Sequence, residues 1–395
     1  MATTTVARSA PPLTMQGIAV PSGVVDQRSF LALTRRHTLL EKTDSYDGVK
    51  SQSVFELRKS DILAGITIRF TGTLVVTPGT GTVASTFRYP LDLIKQCRFT
   101  ANGQSNLINV SGAKLKVRDV MKLSDLNDRG VTNVVGGVSR SQGTLARASE
   151  AWGVGSMTPN LTGGSYPVEL EWYVPVAEDD VDLTGAIFLA TSSSDLTLTL
   201  DWEALGNLFI TTGNGTAALT GTVQVLTKKF SIPVSNGQLV LPDLSSFHSL
   251  IQNRYTALQN GENEVKIVGQ GAGKALVRLY YQFQNGATTA AAPLAMNTAN
   301  FSRQSWRYGN NETPEEFIDG NHMRIDCERR YNTDIGGLWG FGCHDFAVES
   351  AFRDVVDMGT TGELRFVSVI QNAVALSSPA VEYVTETVYG AGQAT

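Results

Sequence analysis

The stretch from Pro167 to Trp202, PVELEWYVPVAEDDVDLTGAIFLATSSSDLTLTLDW, leaves the chain few ways to fold. It opens in strict alternation. Val168, Leu170, Trp172 and Val174 share one side of an extended backbone, with Glu169 and Glu171 on the other, the period of two that a half-buried strand requires. Pro175 lacks the N–H that a central ladder needs, so the strand ends or meets an edge there. The acidic run Glu178, Asp179, Asp180, Asp182 predicts a solvated turn. An apolar run from Leu183 to Ala190 and a second alternating strand, Leu196, Leu198, Leu200, Trp202, follow it. The segment reads as half of a β-sandwich.

The remainder follows the same style. A chain of 395 residues is too long for one hydrophobic core and predicts two to three domains. Hydrophobic residues at 42% supply ample core, whereas charged residues at 17% fall below the usual share of about 25%. That balance suits an all-β protein whose surface is hidden in an assembly, or a secreted β-protein. A net charge of −5 argues against a direct nucleic-acid partner, which needs clustered Lys and Arg. No run approaches the roughly 18 apolar residues of a membrane span, and MATTTVARSAPPLTMQG has no apolar signal-peptide core. Cys97, Cys327 and Cys343, odd in number and far apart, predict reduced thiols in a protein made in the cytosol.

Residues 1–23 predict an extended arm. From Val24 to Lys42 the 3–4–3 spacing of Phe30, Leu33, His37 and Leu40 predicts an amphipathic helix. The first 40 residues carry Arg8, Arg28, Arg35 and Arg36 against Asp26, a net of +3, which leaves −8 on the rest. Such a helix either packs on its own domain or faces an anionic surface such as lipid headgroups. Strands are predicted at 54–57, 66–70, 73–77, 83–89 and 98–100, with a possible helical turn after Pro90 and a helix over Lys114–Leu126. The Gly-, Ser- and Asn-rich residues 128–165 predict a long surface loop. After a strand over Thr222–Ile232, Pro233–Gly237 is the predicted junction. Strands then follow at 238–241, 264–268, 275–284, 323–327, 338–341, 346–349, 364–370 and 381–388. A helix start is predicted at Thr313-Pro314-Glu315-Glu316. Strands, a helix and more strands thus occur twice, the pattern of two sandwiches or jelly rolls.

No catalytic constellation emerges. Cys327, Cys343, His344 and His322 match no common zinc spacing, and the cysteines suit small buried positions. Gly269 to Lys274 lacks the first Gly of a phosphate loop, and Ala275 stands where Ser or Thr would hold magnesium. The acidic run at 178–182 has no EF-hand spacing. Neither an enzyme nor a bound metal or cofactor is expected.

Three patches resemble the major capsid proteins of tectivirus-type bacteriophages. YVPVAEDDVDLTGAIF is similar to a segment in which an aromatic-Val-Pro strand end leads into an Asp-Leu-Thr-Gly turn. GQLVLPDLSSFHSL, from Gly237 to Leu250, resembles the start of that family's second barrel. Thr298-Ala299-Asn300-Phe301-Ser302, with Arg329-Arg330 as the basic start of a later strand, lies in the right order downstream. The resemblance implies an all-β fold of two tandem jelly-roll barrels with short flanking helices. Residues 1–44 would form the arm and amphipathic helix, 45–232 and 237–389 the two barrels, and 390–395 a tail. It also implies a structural role in the virion: a homotrimer forming pseudo-hexagonal capsomers of an icosahedral shell around an internal membrane. Arg28, Arg35 and Arg36 would face that membrane, and neighbouring capsomers, vertex or penton proteins and minor capsid proteins would be partners. The alternative is a virion spike or tail β-protein that binds a receptor or glycan through Tyr280, Tyr281, Trp306 and Tyr308.

Overall fold

The computed structural model describes residues 14–15, 18–19, 27–101, 104–122, 134–135, 138–139, 163–179, 183–189, 196–235, 237–267, 273–287, 291–308, 312–331, 335–336, 340–347, 355–357 and 363–390. After a short helix α1 (Gln27–Leu33), eight strands build the first half. They are β1 (Arg36–Tyr46), β2 (Gln52–Glu56), β3 (Ile62–Thr77), β4 (Ile94–Ala101), β5 (Gln104–Val110), β6 (Gly164–Pro175), β7 (Leu196–Trp202) and β8 (Thr216–Phe230). One sheet has the order β6-β3-β8-β1 and the other β5-β4-β7-β2. Consecutive strands cross between the sheets except β4 and β5, and every pairing within the half is antiparallel. This is the eight-stranded jelly-roll wiring.

The second half repeats it. Its strands are β9 (Ser246–Tyr255), β10 (Gly261–Lys266), β11 (Lys274–Asn285), β12 (Phe301–Tyr308), β13 (Glu315–Phe317), β14 (Phe341–Asp345), β15 (Leu364–Ile370) and β16 (Ala380–Gly390). Their orders, β14-β11-β16-β9 and β13-β12-β15-β10, are those of the first half with eight added to each number. Each barrel also places a helix after its fifth strand, α2 (Gly112–Lys122) in the first and α3 (Gly320–Tyr331) in the second. The fold is all-β, two jelly rolls in tandem with short helices.

Local sequence explains these strands. Leu196, Leu198, Leu200 and Trp202 on β7 turn inward, and the Thr residues between them are half-buried. Trp172 on β6 is fully buried and its indole N–H donates to the carbonyl of Leu91 at 3.2 Å. β11 is buried along nearly its whole length, and so reads ALVRLYYQFQ without alternation. The cause is its place inside a ten-stranded sheet covered on both faces. That sheet arises because β5 of the first barrel and β9 of the second pair in parallel, Ile108 opposite Leu250 and Asn109 opposite Ile251.

Several elements differ from expectation. The helix predicted over 24–42 is confined to Gln27–Leu33, and from Arg36 the chain is β1, paired with β8. A register shift is the reason the strand was hidden. Leu40 pairs with Leu226 and Lys42 with Val225, so Glu41 is an extra residue that breaks the alternation. It turns inward, where its carboxylate accepts from the buried ammonium of Lys229 at 2.8 Å. The predicted helix start at Thr313–Glu316 falls in β13, and the predicted strand 323–327 lies in α3. The helical signal was Met323, Cys327 and Tyr331, buried at a spacing of four. The carboxylate that caps it is Asp319, which accepts from the N–H of His322 at 2.7 Å. Arg329 and Arg330 sit in the last turn of α3, not at a strand start. The strand Phe341–Asp345 meets the predicted 338–341 only at its end, Phe346 and Ala347 lie beyond it, and 338–339 and 348–349 lie outside the described residues. The loop over 128–165 lies almost wholly outside the described residues, as do 391–395.

Candidate functional site, a buried ionic seam between the barrels

Helix α2 leaves the first barrel and lies against the β14-β11-β16-β9 sheet of the second. Its polar residues at a spacing of four, Lys114 and Arg118, point into that sheet and are 1% and 3% exposed. Burying two cations is costly unless each meets a carboxylate in good geometry. Lys114 donates to Glu382 at 2.5 Å and to Gln282 at 3.4 Å, and sits over the ring of Phe341. Arg118 donates through Nε and Nη2 to Oε1 of Glu386 at 3.0 and 2.8 Å, and through Nη2 to the carbonyl of Glu178 at 2.9 Å.

Glu386 is the hub. Arg278 of β11 donates to its Oε2 at 2.5 Å, and the Nε of Arg278 reaches Asp345 at 3.1 Å. His248 of β9 places Nε2 at 2.9 Å from Oε1 of Glu386 and Nδ1 at 2.9 Å from the carbonyl of Pro175. Both partners accept only, a pattern that the doubly protonated ring satisfies. Burial alone would raise the carboxyl of Glu386, but the charges of Arg118 and Arg278 and the bond from His248 hold it well below the ordinary carboxylate range. Glu382 responds in the same way: burial opposes ionisation, and Lys114 overrides it. At the N-terminal end of α2, the N–H of Ser111 donates to the side chain of Gln252 at 2.8 Å. The site fixes the position of one barrel against the other.

The motifs that pointed to this fold converge here. Pro175 and the turn residues Leu183-Thr184-Gly185 come from one patch, His248 from another. Gly185 has φ +87° and packs on β9 so closely that an added Cβ would lie 2.5 Å from the Cβ of His248. Glu178, read as part of a solvated turn, is instead 2% exposed and pairs with the ammonium of Lys122; Asp180 and Asp182 lie outside the described residues. Sequence reasoning missed Lys114, Arg118, Arg278, Glu382 and Glu386. The available signal was a charge within otherwise apolar strand runs, as in ALVRLYY and VEYVTETV.

The other predicted residues lie elsewhere. Arg35 and Arg36 are exposed where α1 gives way to β1, and the backbone of Arg35 is tied to Ser231 in both directions. Arg28 lies on α1. Tyr280 and Tyr281 are fully buried and Trp306 nearly so, hence they form core and not a surface platform. Cys97, Cys327 and Cys343 are buried free thiols. No group of three or more His, Cys, Asp or Glu among the described residues is arranged to hold a metal ion.

Residues 38–225, the span of the first barrel, match the family model described as P3 major capsid protein N-terminal. No curated protein matches the sequence. Among solved structures, a chain of the Sulfolobus turreted icosahedral virus aligns with a TM-score of 0.60 at 12% identity, over 90% of this chain and 91% of that one. The PBCV-1 virus capsid gives 0.54 at 10% identity, over 91% and 95%. The Faustovirus major capsid protein gives 0.51 at 8%, over 90% and 89%. Residues 38–225 are thus similar to the N-terminal part of P3 major capsid proteins, and the chain taken whole shares its double jelly-roll fold with these solved viral capsid chains.

Proposed function

We propose that this chain is the major capsid protein of an icosahedral virus and acts as a homotrimer, three copies forming one pseudo-hexagonal capsomer. The observation that carries the reading is the repeated wiring locked by one continuous sheet and a buried ionic seam. Two similar barrels held in a fixed relation give a trimer six similar units, which matches a lattice position with six neighbours. Obligate interfaces of such assemblies bury thousands of Å². Neighbouring capsomers are then the main partners, with vertex or penton and minor capsid proteins at special positions. The protein is made in the host cytoplasm and resides in the virion. Similarity to structural capsid proteins supports a structural rather than catalytic role. The spike or tail alternative loses its sugar platform to the core.

We further propose that the N-terminal arm faces an internal membrane. Exposed Arg35 and Arg36 and the nearby Arg28 supply the charge for anionic headgroups. Light scattering on a size-exclusion column tests the assembly: the mass of three chains is expected, and a monomer at all concentrations refutes it. Vesicle flotation with anionic lipid tests the arm. Reversal of the three arginines to glutamate is expected to abolish binding, and unchanged binding would reject the membrane role.

A further inference from the structure

The two barrels are alike in wiring but not in cover. Tyr46 ends β1 and Tyr255 ends β9, and five residues then lead to β2 and β10 in turn. Placing one Tyr on the other sets Ser45 on Arg254, and the strand registers carry the match across both sheets. Thr222 and Leu226 of β8 then correspond to Glu382 and Glu386 of β16. Thr67, Arg69 and Thr71 of β3 correspond to Arg278, Tyr280 and Gln282 of β11. The second-barrel residues are all buried, and α2 supplies the side chains that meet them. Among the described residues their first-barrel counterparts are half-buried or exposed.

The helices show the converse asymmetry. Setting Gly112 of α2 on Gly320 of α3 places buried Leu115 on buried Met323, so both helices seat the same side in their own barrels. Lys114, Val117 and Met121 are buried in α2, but their counterparts His322, Ile325 and Arg329 are exposed. These latter three follow a 3–4 spacing and share one face of α3, and Ile318 lies just before the helix. Ile318 is 70% and Ile325 63% exposed, and the Arg329 side chain 77%. The β6-β3-β8-β1 sheet presents on β6 the carboxylates of Glu169, paired with Arg69 of β3, and of Glu171. Arg329, paired with Asp326 of its own helix, is opposite to them in charge.

We infer that the His322–Ile325–Arg329 face of α3, with Ile318 just before it, docks on the outer β1-β8-β3-β6 sheet of the first barrel in a second copy of this chain. The contact repeats between copies what α2 makes within one. It is heterologous, joining two different surfaces, and closes into a ring of three where successive copies are related by a threefold rotation. It rests on the three-copy capsomer proposed above and adds which faces meet.

The test uses the full chain with Ile325→Cys and Gln224→Cys, singly and together, treated with a short bismaleimide. The native thiols are buried and do not compete. Covalent dimers and trimers are expected from the double variant alone. In parallel, Ile325→Glu, a surface change, is expected to weaken trimer formation about 30-fold or more with an unchanged circular dichroism spectrum. A wild-type trimer that neither cross-links through this pair nor responds to Ile325→Glu would overturn the inference while leaving the capsomer intact. A wild type that is monomeric at all concentrations would overturn both.

Discussion

The carboxylate of Glu386 accepts from Arg118, Arg278 and His248, and its removal leaves three donors buried without their anion. Breaking a buried ion pair from one side costs about 3–5 kcal/mol, and Glu386→Ala is expected to fall in that range by urea denaturation. The pH dependence has a definite sign. A carboxyl whose folded pKa is lowered contributes stability that is complete above its ordinary value of 4.5 and is lost as pH falls through the folded value. Glu382 and Asp345 run in the same direction. Buried Asp92 is raised and runs oppositely, its contribution fading as pH rises. Glu41, Asp44, Asp47, Glu315 and Glu363 are lowered as well, so the lowered carboxyls outweigh Asp92 and the urea midpoint should drop below about pH 4.5. Glu386→Gln should flatten that drop, and parallel curves for the two proteins would count against the seam as its origin. The thiols give a separate check. Burial pushes Cys327 up to about 12 and raises the other two as well. Iodoacetamide should therefore label none of them in the native chain and all three in urea.

Among the elements, the turn ending in Gly185 binds the barrels by close approach, with no charge involved. Gly185→Ala adds a Cβ 2.5 Å from His248 at a φ of +87°. Backbone strain of this kind costs about 1–3 kcal/mol before the clash is counted, so a clear fall in melting temperature is expected. Gly206 is the matched control. Its added Cβ would meet nothing within 4 Å, and it lies in the helical turn Leu205–Leu208. Gly206→Ala should leave stability unchanged or raise it by up to about 1 kcal/mol. A Gly185→Ala protein as stable as this control would remove the turn from the seam. Element by element, what could be read from sequence depended on whether one strand face decides the pattern. β7 and β15 were legible to the residue, because each packs one face on a single core. β1 was not, because the bulge at Glu41 shifts its alternation by one. The seam was illegible for a different reason. Whether Glu386 faces water or a cation depends on Arg118, 268 positions away, and no local period records a partner so distant.

A chain of this length ordinarily separates into domains that unfold on their own, with modest polar interfaces between them. Here the ten-stranded sheet runs through both barrels, and the outer face of the second barrel's sheet is covered by α2 of the first. Detached, that face would expose Tyr280 and Val384 together with Arg278 and Glu386, all at most 2% exposed in the chain. The barrels should therefore unfold as one unit, giving a single calorimetric transition whose van't Hoff and calorimetric enthalpies agree. Lys114→Ala combined with Glu386→Ala removes α2's anchors while leaving each barrel's own core untouched. That variant should split the transition in two, the second barrel melting first because its outer face is the one uncovered. Two well-separated transitions in the wild type would give the opposite picture. The seam would then couple the barrels weakly, and their fixed relation would have to come from contacts with neighbouring subunits.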